Sequence, residues 1–97
     1  MADGLRKKIE DDLKSAMKSS DALKVSTLRM AQSSIVNKEI QLLKKETGLS
    51  NEEICEVLRS EVKKRKDAAF EFEKAGRAGL AQKEKSEAEI LVAYLPQ

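Results

Sequence analysis

Apolar side chains recur at helical spacing through four segments of the chain, and the breaks between them carry residues that stop and start helices. Leu5, Ile9, Leu13 and Ala16-Met17 fall on one face, with Arg6, Lys7, Lys8, Asp11 and Asp12 on the wet side, which predicts a first helix over about Gly4 to Lys18. Ser19-Ser20-Asp21 interrupts it, and Asp21 is placed to accept a hydrogen bond from the free amides of the next helix. Val25, Leu28, Ala31, Ile35, Ile40 and Leu43 then predict a second helix from about Ala22 to Glu46.

Gly48 suits a left-handed stop, and Ser50-Asn51-Glu52-Glu53 fits a capping box with Ser50 as the cap and Glu53 as the reciprocal acid. Leu49 and Ile54 flank it as a hydrophobic staple. The third helix carries Ile54, Leu58, Val62, Ala69 and Phe72 on one slowly drifting stripe and closes at Gly76; about 25 residues would span roughly 37 Å. A fourth helix over about Ala78 to Tyr94 turns Leu80, Ala81, Ala88, Leu91 and Leu95 inward. Its middle, Gln82 to Glu87, has little to bury, so only its ends should dock firmly.

The fold class expected is all-α: a four-helix up-down bundle-like domain of long helices, with residues 1–97 as one unit. Composition agrees, because 97 residues are too few for two cores and an aromatic content of 3% leaves Leu, Ile, Val, Met and Ala to build the one.

Several chemistries lack their residues. Histidine is absent and Cys55 is the single cysteine, which removes the usual zinc ligands and the side chain best suited to proton transfer near neutral pH. There is no glycine-rich phosphate loop and no nucleophile elbow. Glu71/Glu73 and Glu84/Glu87 read as solvated helix faces rather than paired acids. No catalytic, cofactor-binding or metal-binding residue is assigned, and no small-molecule substrate. One cysteine, no leader at Met1-Ala2-Asp3 and no apolar run near the roughly 20 residues of a membrane helix lead to the expectation of a cytoplasmic protein without membrane contact.

The formal charge is +2, from nineteen basic and seventeen acidic side chains, so long-range attraction of phosphate is weak and any nucleic-acid site must be local. Lys63-Lys64-Arg65-Lys66 is the densest basic run. Successive helical residues advance by 100°, so the run wraps the helix, but Arg59, Lys63 and Lys66 share a face that could follow a phosphate backbone. Glu56 and Glu61 are spaced to neutralise part of it. With rings so scarce, base stacking is a poor option; Phe70 is the ring expected at the surface. A second reading stays open beside this one, in which long apolar stripes left partly uncovered serve homodimerisation or docking to another protein.

Leu28-Arg29-Met30, Asn37-Lys38-Glu39-Ile40, Glu61-Val62-Lys63-Lys64-Arg65-Lys66-Asp67, Phe72-Glu73-Lys74-Ala75-Gly76-Arg77 and Tyr94-Leu95-Pro96, in that order, resemble the YqeY family. The resemblance covers nearly the whole chain. It implies the helical N-terminal domain of a two-part protein whose C-terminal part is similar to the tail of GatB, the tRNA-handling subunit of the glutamine-dependent amidotransferase. That GatB-like tail is expected to be absent here. By this resemblance the protein is a non-catalytic accessory that binds tRNA or amidotransferase subunits, and the carbon-nitrogen ligase label attached to such families reflects a shared domain rather than catalysis. It adds Arg29, Lys64, Arg65 and Arg77 to the candidate contacts Arg59, Lys63 and Lys66. Structural roles remain open for two of them: Arg77 as a cap on the carbonyls ending helix three, and Arg29 as partner to an acid across the bundle.

Overall fold

The computed structural model describes residues 4–96, which form four α-helices and, among the described residues, no strand. They are α1 (Gly4–Lys18), α2 (Ala22–Gln41), α3 (Asn51–Lys74) and α4 (Ala78–Val92). The reading of Met1-Ala2-Asp3 as a start without leader lies outside the described residues. Each helix contributes to one seam: Ile9 from α1, Leu28 and Ile35 from α2, Ile54 and Leu58 from α3, and Leu91 from α4 are fully buried. The expected all-α fold is therefore the observed one.

α3 begins as its sequence dictates. The Ser50 hydroxyl accepts from the Glu53 amide at 3.2 Å, the Glu53 carboxylate accepts from the Ser50 amide at 2.9 Å, and Leu49 and Ile54 are both buried beneath the pair. At its other end Gly76 takes φ 74°, and the chain reverses through two bonds, Gly76 N–H to the Glu73 carbonyl at 3.1 Å and Arg77 N–H to the Phe72 carbonyl at 2.8 Å. This is the six-to-one and five-to-two pattern that satisfies the last carbonyls of a helix.

α2 stops at Gln41 instead of Glu46. Leu43, not Gly48, takes the left-handed conformation that ends it, at φ 56°, with Leu43 N–H on the Ile40 carbonyl at 3.1 Å and Lys44 N–H on the Glu39 carbonyl at 2.8 Å. Two ion pairs explain the early reversal. Glu39 is held by Arg6 of α1, and Lys44 reaches the capping residue Glu53 at 2.6 Å, so the turn is pinned from both sides. Ile40 and Leu43, expected inward, consequently face water, as does Met17 on α1. Gly48, at φ 75°, completes the loop that delivers Leu49 to the core. α4 likewise ends at Val92, two residues early, because Tyr94 and Leu95 donate to the carbonyls of Leu91 and Val92 in a tightened last turn.

α3 and α4 form the most extensive helix pair, and α1 packs chiefly on α2. The α3–α4 hairpin extends past the core: between Ala69 and Ala81 no residue is buried, and Leu80, expected inward, is exposed. The Cα radius of gyration of 14.1 Å reflects this, since a compact domain of this length comes to about 12.5 Å.

Candidate nucleic-acid interface

The basic run on α3 divides once the helix has docked. Arg65 turns inward, its side chain only 15% exposed, and donates to the Glu61 carboxylate at 2.8 Å and the Glu61 carbonyl at 3.0 Å. Glu61 is buried beside Val62 and takes two further donors on its other oxygen, the Ser34 hydroxyl of α2 at 3.2 Å and the Lys64 ammonium at 3.3 Å. Arg65 thus serves packing between helices. Its Nε has no partner, and its charge offsets the burial and the neighbouring Glu84 that together push the Glu87 carboxyl above its ordinary value.

Arg59, Lys63, Lys64 and Lys66 point to solvent. Lys63 pairs along the helix with Asp67 at 2.9 Å, which holds its ammonium above the usual lysine value. Such an exposed pair is weak and exchanges readily for a phosphate. Arg59 and Lys66 make no ion pair among the described residues. Glu56, spaced to neutralise the run, makes none either, so that expectation holds for Glu61 alone.

Arg29 and Arg77 are exposed as well, in different places. Arg29 lies on α2 beside Gln32, Ser33, Val36 and Asn37 and pairs with no acid among the described residues. Arg77 is the cap residue of α4, contributing its backbone N–H to the end of α3 while its side chain makes no capping bond. Eighteen residues of helix and turn separate it from Arg59, roughly 27 Å at helical rise. The structure sets Lys64 against α2 across a shared groove and Arg29 on α2 itself, turns Arg59, Lys63 and Lys66 to the outer face of α3, and leaves Arg77 at the hairpin tip.

A further signal lies in the composition of α2. In a chain with seventeen acidic residues, the twenty of α2 include a single acid, Glu39, and its side chain is 6% exposed and tied to Arg6. The outer face of α2 therefore carries Arg29, Gln32, Ser33, Asn37, Lys38 and Gln41 with no negative charge. Between it and α3 runs an open groove of about 280 Å³, lined by Ser34, Asn37, Lys38 and Gln41 on one side and Val57, Ser60, Glu61 and Lys64 on the other.

A larger groove, about 600 Å³, lies where the last turn meets α1. There the Tyr94 hydroxyl donates to Asp12 at 2.6 Å, and Lys8 sits 5.7 Å from the ring centre and 3.6 Å from Asp12. Burial first and then Asp12 push the Tyr94 phenol far above its ordinary value. Lys8, Asp12 and Tyr94 satisfy one another, so this arrangement ties the chain end to α1. Cys55 is buried, and among the described residues no cluster of three or more His, Cys, Asp or Glu side chains could hold a metal ion. No described helix is long and apolar enough to cross a membrane.

Comparison with known proteins adds a second line of evidence. The sequence profile of the family described as Yqey-like protein matches residues 6–97. The chain is 37% identical over 89 residues to Altered inheritance of mitochondria protein 41, mitochondrial, of Lachancea thermotolerans, covering 92% of this chain and 46% of that protein. The protein of the same name from Kluyveromyces lactis is 37% identical over 86 residues, 89% of this chain and 45% of its own length. An uncharacterized protein of Schizosaccharomyces pombe is 35% identical over 95 residues, 96% of this chain and 70% of its own. The chain thus spans about half the length of the mitochondrial relatives. The cytoplasmic location expected from composition is overturned by these relatives, which are named as mitochondrial proteins.

Proposed function

This chain belongs to the YqeY-like family, and from that premise we propose that it is a non-catalytic accessory module that binds tRNA through the α2–α3 side of the domain, in a mitochondrial setting and in association with tRNA-dependent amidation. The observation that supports this reading is the charge arrangement. Arg59 and Lys66 stand exposed on α3 with no ion pair among the described residues, Lys63 is held only by a surface pair, and the one acid of α2 is buried against Arg6. On this face of α3 three cations stand beside Glu56 and Asp67, so the balance favours a phosphate backbone by local excess of positive charge. No group on it is arranged for bond making or breaking, so any amidation belongs to the partner enzyme.

Purified chain titrated with tRNA at increasing salt should bind with a log–log slope set by its phosphate contacts. Replacing Arg59, Lys63 and Lys66 together by alanine should flatten that slope by about two. Unchanged binding and slope in the triple variant would remove this face from the reading. Steady glutamine-dependent amidation by the chain alone would remove the non-catalytic assignment.

A protein-docking role has its own observation in Ile40, Leu42 and Leu43, which form an exposed apolar end to α2. Under that reading light scattering shows a dimer, or a defined protein partner binds, and replacing Leu43 abolishes the association while tRNA binding is absent.

A further inference from the structure

We infer that the groove between α2 and α3 is a ribose-phosphate subsite, holding one sugar of an RNA strand with its flanking phosphates; this rests on the tRNA reading above and refines it. The lining dictates the ligand class. Asn37, Gln41 and Ser60 face solvent with no hydrogen-bond partner among the described residues, so amide and hydroxyl groups from both helices converge on one groove with their donors and acceptors unused. A ribose 2′-hydroxyl both donates and accepts, and it is matched by groups of this kind. Lys38 and Lys64 also line the groove, where they suit the phosphates on either side of the sugar.

The groove does not suit the alternatives. Among the described residues Val57 is its single apolar wall residue and no ring lines it, so it offers nothing on which a base could stack. Its volume of about 280 Å³ falls just under the roughly 300–1,000 Å³ of sites that enclose a complete small molecule. One unit of a polymer fits that scale. Among the described residues Glu61 is the only acid in the lining, and its carboxylate is already engaged by Arg65, Lys64 and Ser34, which leaves the local charge positive. The other acid nearby in sequence, Glu39, is turned away into its pair with Arg6. Asn37 also borders the neighbouring outer surface of α2 that holds Arg29, onto which a strand leaving the groove would pass.

The test compares an unmodified tRNA transcript with the all-deoxyribose strand of the same sequence, each titrated against the full chain. The Asn37→Ala, Ser60→Ala double variant should lose RNA affinity by about three- to tenfold per hydrogen bond removed, with DNA affinity and the salt slope unchanged. Lys38→Ala should weaken both strands alike and reduce the slope by about 0.7. Both altered positions in the double variant are exposed, and its melting temperature should match that of the parent. RNA affinity unchanged in the double variant, or RNA and DNA affinities falling together, overturns the subsite while the α3 triple variant still tests the tRNA reading. Absence of salt-sensitive tRNA binding by the parent chain overturns both.

Discussion

Leu43 holds left-handed backbone at φ 56° while its side chain is 92% exposed. A Cβ in that region costs roughly 1–2 kcal/mol, and glycine avoids it. Nothing in the fold offsets the strain, because the side chain buries almost no surface. Leu43→Gly should therefore stabilise the domain by about 1 kcal/mol, after glycine's greater freedom in the unfolded chain is subtracted. For a domain of this size that is a rise in melting temperature of about 4–8 °C, read by circular dichroism. An unchanged or lowered value would show that Leu43 makes a contact on the folded protein after all. Thr27 makes a complementary case inside the core, 1% exposed with its hydroxyl unpartnered. Thr27→Val keeps the shape and removes the stranded polar group, so urea denaturation should show a gain of about 1 kcal/mol. Individual residues were also where the candidate site was least legible. The basic run on α3 is plain in the sequence, but whether a given cation faces water depends on helix rotation. Arg65 turns inward because Glu61, one turn earlier, is buried against Ser34. No spacing rule reports that.

Helix starts were legible where local chemistry is self-contained, and helix ends were less so. The cap of α3 uses only Ser50, Glu53 and the flanking Leu49 and Ile54, all within six residues, and it forms as the sequence predicts. The end of α2 depends on Arg6 and Glu53, distant in sequence, so apolar periodicity ran on through Leu43 past the true stop. Replacing Ser50 by alanine should cost about 1 kcal/mol by removing the cap, measurable by urea titration at neutral pH. The same element carries a pH signature. Glu53 lies below the ordinary carboxylate value of 4.5, first through its bond with Lys44 and then through the Ser50 amide. Its proton is held less tightly in the folded chain than in the unfolded one. The associated stability is therefore complete above pH 4.5 and is lost as pH falls through the lower folded value. Glu53→Gln should flatten that acid limb in a series of melts. Glu87 has the opposite sign: burial and Glu84 raise it, so its ionisation destabilises the fold as pH climbs through that range, and Glu87→Gln should be more stable at neutral pH.

At the scale of the whole molecule, the packing divides the long hairpin into a docked base and a free tip. Ile54, Leu58 and Leu91 sit in the core, whereas residues from Phe70 to Leu80 bury little and hold together through surface pairs such as Lys85 with Glu73 at 2.8 Å. Local opening of a segment with few buried contacts takes little free energy. Amides around residues 70–80 should exchange with solvent far faster than those of Ile54 to Val62, which open only with the global transition. The other end of α4 is fixed differently. Tyr94 is buried, and its hydroxyl reaches Asp12 of α1, joining the last turn to the first helix. Tyr94→Phe keeps the ring in place and deletes only that charge-assisted bond, which in a partly buried setting is worth about 1.5 kcal/mol. If the bond anchors α4, exchange in the variant accelerates at Ala88 to Val92 and leaves the hairpin tip as fast as before. Acceleration confined to the tip would instead mean that the hairpin turn, not the chain end, sets how firmly α4 is held.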